Sequence, residues 1–234
     1  ITIWLRGGTY FRAAAFELDS RDSGTSRNPI AYRASAGEMP RIVGGRPLDV
    51  SWFTRMTSES PVWQRLDPQA RGMVYRCRLP EHGIEQFGDL TSVHADPVHS
   101  EISFNGRIMQ LGRWPNEDFT IVRRAISDTT YMYGHRRPAR WTTASSPWVN
   151  GYWRYMWANK YLPVTAIDTV AKVLTIADPP GYPIAAGRFW YGFNLLEEID
   201  VPGEWYLERH PEAEDYGTLY LWSPEDLATA EILL

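Results

Sequence analysis

The hydrophobic positions of this 234-residue chain fall in short runs, and most of those runs alternate with polar residues at period two. Up to about residue 60 the β-type runs are residues 2–5, 15–18, 30–33 and 41–43. Between them lie Arg6-Gly7-Gly8-Thr9-Tyr10, residues 19–25 and residues 35–40, which are rich in Gly, Asp, Ser and Pro and carry no helical periodicity. Such a spacing predicts short strands joined by turns. It fits a two-layer sandwich and a stacked parallel solenoid equally well.

After Trp52 the texture changes. Residues 73–79 alternate strictly, as do 102–104 and 108–111, and Asn105-Gly106 stands between the last two, the strongest short-range signal for a hairpin. Further strands are predicted over 147–155, 162–168, 172–176 and 188–191, consistent with an antiparallel sandwich over roughly residues 70–190. Asp67-Pro68 opens at most one helical turn, since Gly72 follows so soon. Asn194 and Glu197 have capping-box spacing, so a short helix is predicted over 194–199, stopped by Pro202-Gly203. Residues 205–207 and 219–222 read as two more strands, and Ser223-Pro224-Glu225-Asp226 as a second helical turn.

Composition narrows the function classes. The 24 Lys and Arg against 28 Asp and Glu give a net charge of -4, without the basic excess that neutralising nucleic-acid phosphates requires. No apolar run approaches the ~20 residues of a membrane-spanning helix. The single Cys77 excludes an intramolecular disulfide. Ile1 opens directly into a strand-like run with no leader before it, and residues 230–234 also read as a strand start, so the chain is expected to be a piece of something longer. Aromatic residues make up 14% of the chain, including 11 Trp and 13 Tyr, whose flat faces serve cores, interfaces and sugar rings alike.

The string Leu5-Arg6-Gly7-Gly8-Thr9-Tyr10, then Asp22-Ser23-Gly24-Thr25 with Asn28-Pro29-Ile30-Ala31-Tyr32, then Val43-Gly44-Gly45, resembles the opening coils of right-handed parallel β-helix proteins. The resemblance continues through Phe104-Asn105-Gly106-Arg107, Arg113-Trp114-Pro115-Asn116, residues 148–153, residues 202–207 and residues 217–224. These are large bacterial proteins of pectin-lyase-like fold that include glycoside hydrolases. The resemblance implies an all-β chain in three parts: first coils over 1–66, an inserted β-sandwich over 67–191, and a short helix and hairpin over 192–234 that return to the β-helix. It further implies a secreted or periplasmic protein acting on plant or microbial glycans, with an acidic pair on later coils beyond residue 234. A truncated stack leaves an unpaired coil edge through which copies would associate. The alternative is a carbohydrate-binding or structural module without turnover.

Within the chain itself the chemistry is sparse. Glycoside hydrolysis needs two carboxyls about 5–10 Å apart, one of them kept protonated. Glu197, Glu198, Asp200 and Glu204 cluster in sequence, but capping explains Glu197, and Glu198 and Asp200 are expected on a solvated face. Asp19 and Asp22 read as loop-forming residues. His94, Asp96 and His99 are close, yet Pro97 prevents a helix from putting both imidazoles on one face, so no metal and no cofactor is expected. Cys77 reads as a small apolar strand residue. The strongest local signal is aromatic: alternation would place Trp153, Tyr155 and Trp157 on one face of a strand and Trp148 and Tyr152 on the other. Arg113, Trp114, Asn116, Tyr152, Trp153 and Trp157 are therefore the candidate carbohydrate contacts, and packing at an interface is the competing explanation for them.

Overall fold

The computed structural model describes residues 1–88, 90–91 and 100–234. The chain divides into two compact units, residues 1–48 with 233–234 and residues 49–232.

In the first unit, Thr2–Leu5 pairs in parallel with Ala31–Ala34, and Gly8–Phe11 pairs in parallel with Pro40–Val43. Residues 15–18, expected as a strand, lie outside both sheets. Asp19 caps the 3-10 turn Ser20–Asp22, accepting from the Arg21 amide, while the Asp22 carboxylate accepts from the Asp19 amide, so both acids do the loop work the sequence suggests. Among the described residues these strands form two two-stranded parallel pairs and not the expected continuous right-handed β-helix, since each strand has one partner. Trp4, Phe16 and Ile42 are exposed, and Ile3, Leu5, Tyr10, Phe16, Tyr32 and Ile42 line a shallow apolar cleft.

In the second unit, the expected sandwich is replaced by a closed barrel of six antiparallel strands. Around the ring run Phe189–Phe193, Thr120–Ala125, Thr130–Tyr133, Val173–Ile176, Lys160–Asp168 and Trp148–Gly151, which pairs again with Phe189–Phe193. Period-two alternation is common to sandwiches and barrels, and closure depends on Phe189–Phe193 being paired on both edges. Its inward positions are Trp190 and Gly192. Tyr131, Trp141, Trp153 and Trp190 fill the interior with ring centroids 5.3–6.3 Å apart in tilted and edge-to-face contacts. Gly151 is dictated by this packing, because a Cβ there would lie 2.7 Å from the Trp153 ring.

A second sheet orders Gln110–Leu111, Glu204–Leu207, Thr218–Trp222, Val74–Arg78 and Thr54–Arg55, antiparallel except for the first pair. The predicted strand around Cys77 is present; the thiol is buried and burial pushes it up to about 11, as suits an apolar packing residue. The Asn-Gly hairpin is also present: Ser103–Phe104 pairs with Arg107–Ile108, and Asn105 and Gly106 take φ of 49° and 75°, the left-handed pair that a tight hairpin turn requires.

The predicted helix over 194–199 is a single 3-10 turn, Leu196–Glu198, whose N-cap is Leu195. Asn194 instead adopts a left-handed φ of 58° and donates to the Ser146 carbonyl. Glu197, Glu198 and Asp200, expected to be capping or solvated, are buried with Glu204 and Glu208. Arg65 Nε meets Glu197 at 2.8 Å, Arg137 Nε meets Glu198 at 2.7 Å and also holds Asp200, and Arg140 reaches Asp67 at 2.7 Å. Trp141 Nε1 donates to Glu198 at 2.6 Å, and Tyr206 and Ser145 donate to Glu208. Glu197, Glu198, Asp200 and Glu208 are buried with cations from distant positions beside them, whereas Glu204 has backbone amides for partners.

Candidate functional site

On Phe189–Phe193, inward Trp190 and Gly192 leave Phe189, Tyr191 and Phe193 facing outward. Register brings neighbours of the same kind beside them. Asn150 lies directly between Tyr161 and Tyr191 on adjacent strands, and Trp148 lies opposite Phe193. The barrel exterior thus carries an aromatic stripe, extended by Phe119, whose ring centroid is 5.5 Å from Tyr191 and 5.7 Å from Tyr152. A groove of about 140 Å³ opens along it, lined by Gln110, Leu111, Arg113, Tyr161, Tyr191 and Phe193.

Arg113 is held against this stripe. Its guanidinium carbon lies 3.7 Å from the Tyr191 centroid, Nε donates to the Pro115 carbonyl at 2.7 Å, and Nη2 donates to the Asp118 carbonyl at 2.6 Å. Those two backbone bonds fix the position of the cation over the ring. Burial, reinforced by the hydrogen-bonded Tyr191 hydroxyl, pushes the Tyr161 phenol up to about 12, so Tyr161 keeps its proton at neutral pH. Asn150 Oδ1 is buried with no hydrogen-bond partner among the described residues, in a side chain 4% exposed. A buried acceptor left in that state costs about 1–3 kcal/mol.

The six residues singled out by sequence are distributed over separate places. Arg113 lines the groove and Tyr152 continues the stripe through Phe119. Asn116 donates to Asp200 at 2.7 Å, and its carbonyl accepts from Gln110. Trp114 turns toward Trp141 and Trp190, with centroids 6.2 and 6.4 Å away. Trp153, 2% exposed, belongs to the barrel interior and donates to the Lys160 carbonyl. Its expected place on one face with Tyr155 and Trp157 is corrected by the strand ending at Gly151, which leaves 152–159 as loop where alternation has no force. Trp157, 72% exposed, stacks on Tyr155 at 5.5 Å with 8° between planes, and Tyr182 abuts both edge-on. Tyr161, Tyr191, Gln110 and Asn150 escaped the sequence reading, although alternation along 188–191 already put Tyr191 opposite the core-facing Trp190.

Beneath the groove, Glu204 accepts from the amides of Asp200 and Val201 at 2.8 and 3.1 Å, with the Gln110 amide 3.4 Å away. Burial pushes it up to about 8, so the carboxyl is largely neutral at pH 7. Burial likewise raises Glu198 to about 7 against the pull of Arg137 and Trp141. Neither is open to a glycan, since both are at most 1% exposed. Among the described residues no group of three or more His, Cys, Asp or Glu is arranged to hold a metal ion, and His94, Asp96 and His99 lie outside those residues. No helix is long and apolar enough to cross a membrane among the described residues.

No protein-family model matches the chain. No curated protein matches it either. A solved structure described as a glycoside hydrolase matches with a TM-score of 0.69 over 100% of this chain at 17% sequence identity, and the chain spans 38% of that protein's length. At that identity the similarity establishes a shared all-β fold.

Proposed function

We propose that the chain is the N-terminal part of a secreted or periplasmic β-helix glycoside hydrolase, and that the barrel groove contacts its carbohydrate substrate. The observation that carries the reading is the Arg113–Tyr191 stack beside the unpartnered Asn150 acceptor. A stacked ring and guanidinium give a flat surface for the C–H face of a pyranose, and Tyr161, Gln110 and Asn150 offer the donors and acceptors that sugar hydroxyls need. A sugar hydroxyl entering between Tyr161 and Tyr191 satisfies Asn150 Oδ1. In the first unit, each parallel partner begins about 30 residues downstream, within the roughly 20–45-residue repeat of stacked solenoids, which supports reading those pairs as opening coils. The neighbour described as a glycoside hydrolase supports the same assignment.

The carboxyls that cleave the glycosidic bond then belong to sequence outside these 234 residues. The acids of this chain nearest the groove are buried and engaged by arginines and backbone amides. That burial also favours a second reading, a binding module without turnover. Assaying the parent protein against plant and microbial glycans separates the two: hydrolysis that falls at least tenfold in kcat/KM with Tyr191→Ala supports the first. Absence of hydrolysis across the panel removes it, and oligosaccharide binding without turnover leaves the second.

A further inference from the structure

The second sheet of the 49–232 unit carries a cleft of about 400 Å³, within the roughly 300–1,000 Å³ of small-molecule sites. One wall is an aromatic slab. Trp52 ends the 3-10 turn Val50–Trp52, which Asp49 caps by accepting from the Ser51 amide at 2.9 Å. His82 ends the turn Leu79–His82, which stops at Gly83 with φ of 67°. The two rings stack with centroids 4.0 Å apart and planes 4° from parallel. Neither ring depends on a long flexible loop for its position.

The polar lining is mixed in sign. Arg76 and Arg78 occupy alternate positions of Val74–Arg78, so they project from one face about 7 Å apart. Glu214 and Asp215 contribute the opposite charge, and Asp215 accepts from Tyr220, the cross-strand neighbour of Arg76. Arg78 meets Glu81 only at 3.6 Å, with both side chains largely exposed. A ligand with a net charge of either sign would meet like charges in this wall. A neutral polyhydroxylated ring would not, because each hydroxyl both donates to a carboxylate and accepts from a guanidinium, and its C–H face has the Trp52–His82 slab to lie against.

We infer that this cleft is a second carbohydrate site, separate from the barrel groove and selective for neutral over uronate-bearing oligosaccharides. The inference rests on the reading that the protein handles carbohydrate, but it uses none of the groove residues.

Calorimetric titration of the 234-residue chain with neutral gluco-, xylo- and arabino-oligosaccharides and with oligogalacturonate tests it, in wild type, Arg76→Ser, Trp52→Ala and Tyr191→Ala. At least one neutral oligosaccharide is expected to bind with a component that weakens tenfold or more in Arg76→Ser and Trp52→Ala and persists in Tyr191→Ala. Arg76 is exposed, so its variant decides the matter if loss of the stacked ring unfolds Trp52→Ala. No neutral binding by wild type, binding unaffected by Arg76→Ser, or tighter binding of oligogalacturonate overturns the inference. Loss of binding in Tyr191→Ala alone, with Arg76→Ser unchanged, overturns it while supporting the groove. Loss in Arg76→Ser alone does the reverse.

Discussion

The guanidinium of Arg113 lies over the Tyr191 ring at 3.7 Å, held there by two backbone carbonyls from the turn that follows it. A lysine keeps the charge but loses the plane and the forked donors. Arg113→Lys is therefore expected to weaken oligosaccharide binding by about 0.5–2 kcal/mol, the range of a partly buried cation–π contact, with little change in Tm. Calorimetry and thermal denaturation on the same variant check both halves.

Asn150 predicts an opposition between stability and binding. Leucine of similar size removes the unsatisfied acceptor, so Asn150→Leu is expected to raise stability by about 1 kcal/mol or more and to weaken binding at least tenfold. Denaturant unfolding and titration measure the two effects. A variant that is destabilised and binds normally would assign Asn150 to packing.

Glu204 and Glu198 set the pH dependence of stability. Their folded-state values, about 8 and about 7, lie above the ordinary carboxylate value, so the folded chain holds more protons than the unfolded chain between roughly pH 4.5 and 8. Stability is therefore expected to fall as pH rises through that window, by an amount on the order of a few kcal/mol, and Glu204→Gln is expected to flatten the profile. Tm measured from pH 5 to pH 8 gives the sign directly.

Arg137 neutralises Glu198 and Asp200 together. Arg137→Met leaves both acids buried without their shared cation, a loss of about 3–5 kcal/mol. Chemical denaturation should register it as a lower midpoint, and Arg107→Met, at an exposed ion pair, should cost less than about 1 kcal/mol.

What the sequence discloses follows the range of the forces involved. The Asn105-Gly106 turn is local, since two adjacent residues supply the left-handed φ values, and it is legible. The role of Glu197 is not, because its partner Arg65 stands 132 residues away, whereas a capping-box spacing is visible within four. Sandwich and barrel share one alternation pattern, and only the double pairing of Phe189–Phe193 distinguishes them. The groove was half legible. Arg113 and Tyr152 stand out as polar and aromatic residues in aromatic surroundings, but Asn150 gains its meaning from being placed between Tyr161 and Tyr191, which register alone decides. Trp153 and Trp157 lie beyond the end of the strand at Gly151, where period-two alternation does not decide which way a side chain faces.

The most direct test of the groove is a crystal structure of the chain with a bound oligosaccharide. A pyranose ring stacked on the Arg113–Tyr191 pair, with a hydroxyl about 3 Å from Asn150 Oδ1, is the expected result. A bound glycan that leaves this pair solvent-facing and Asn150 still unpaired would contradict it.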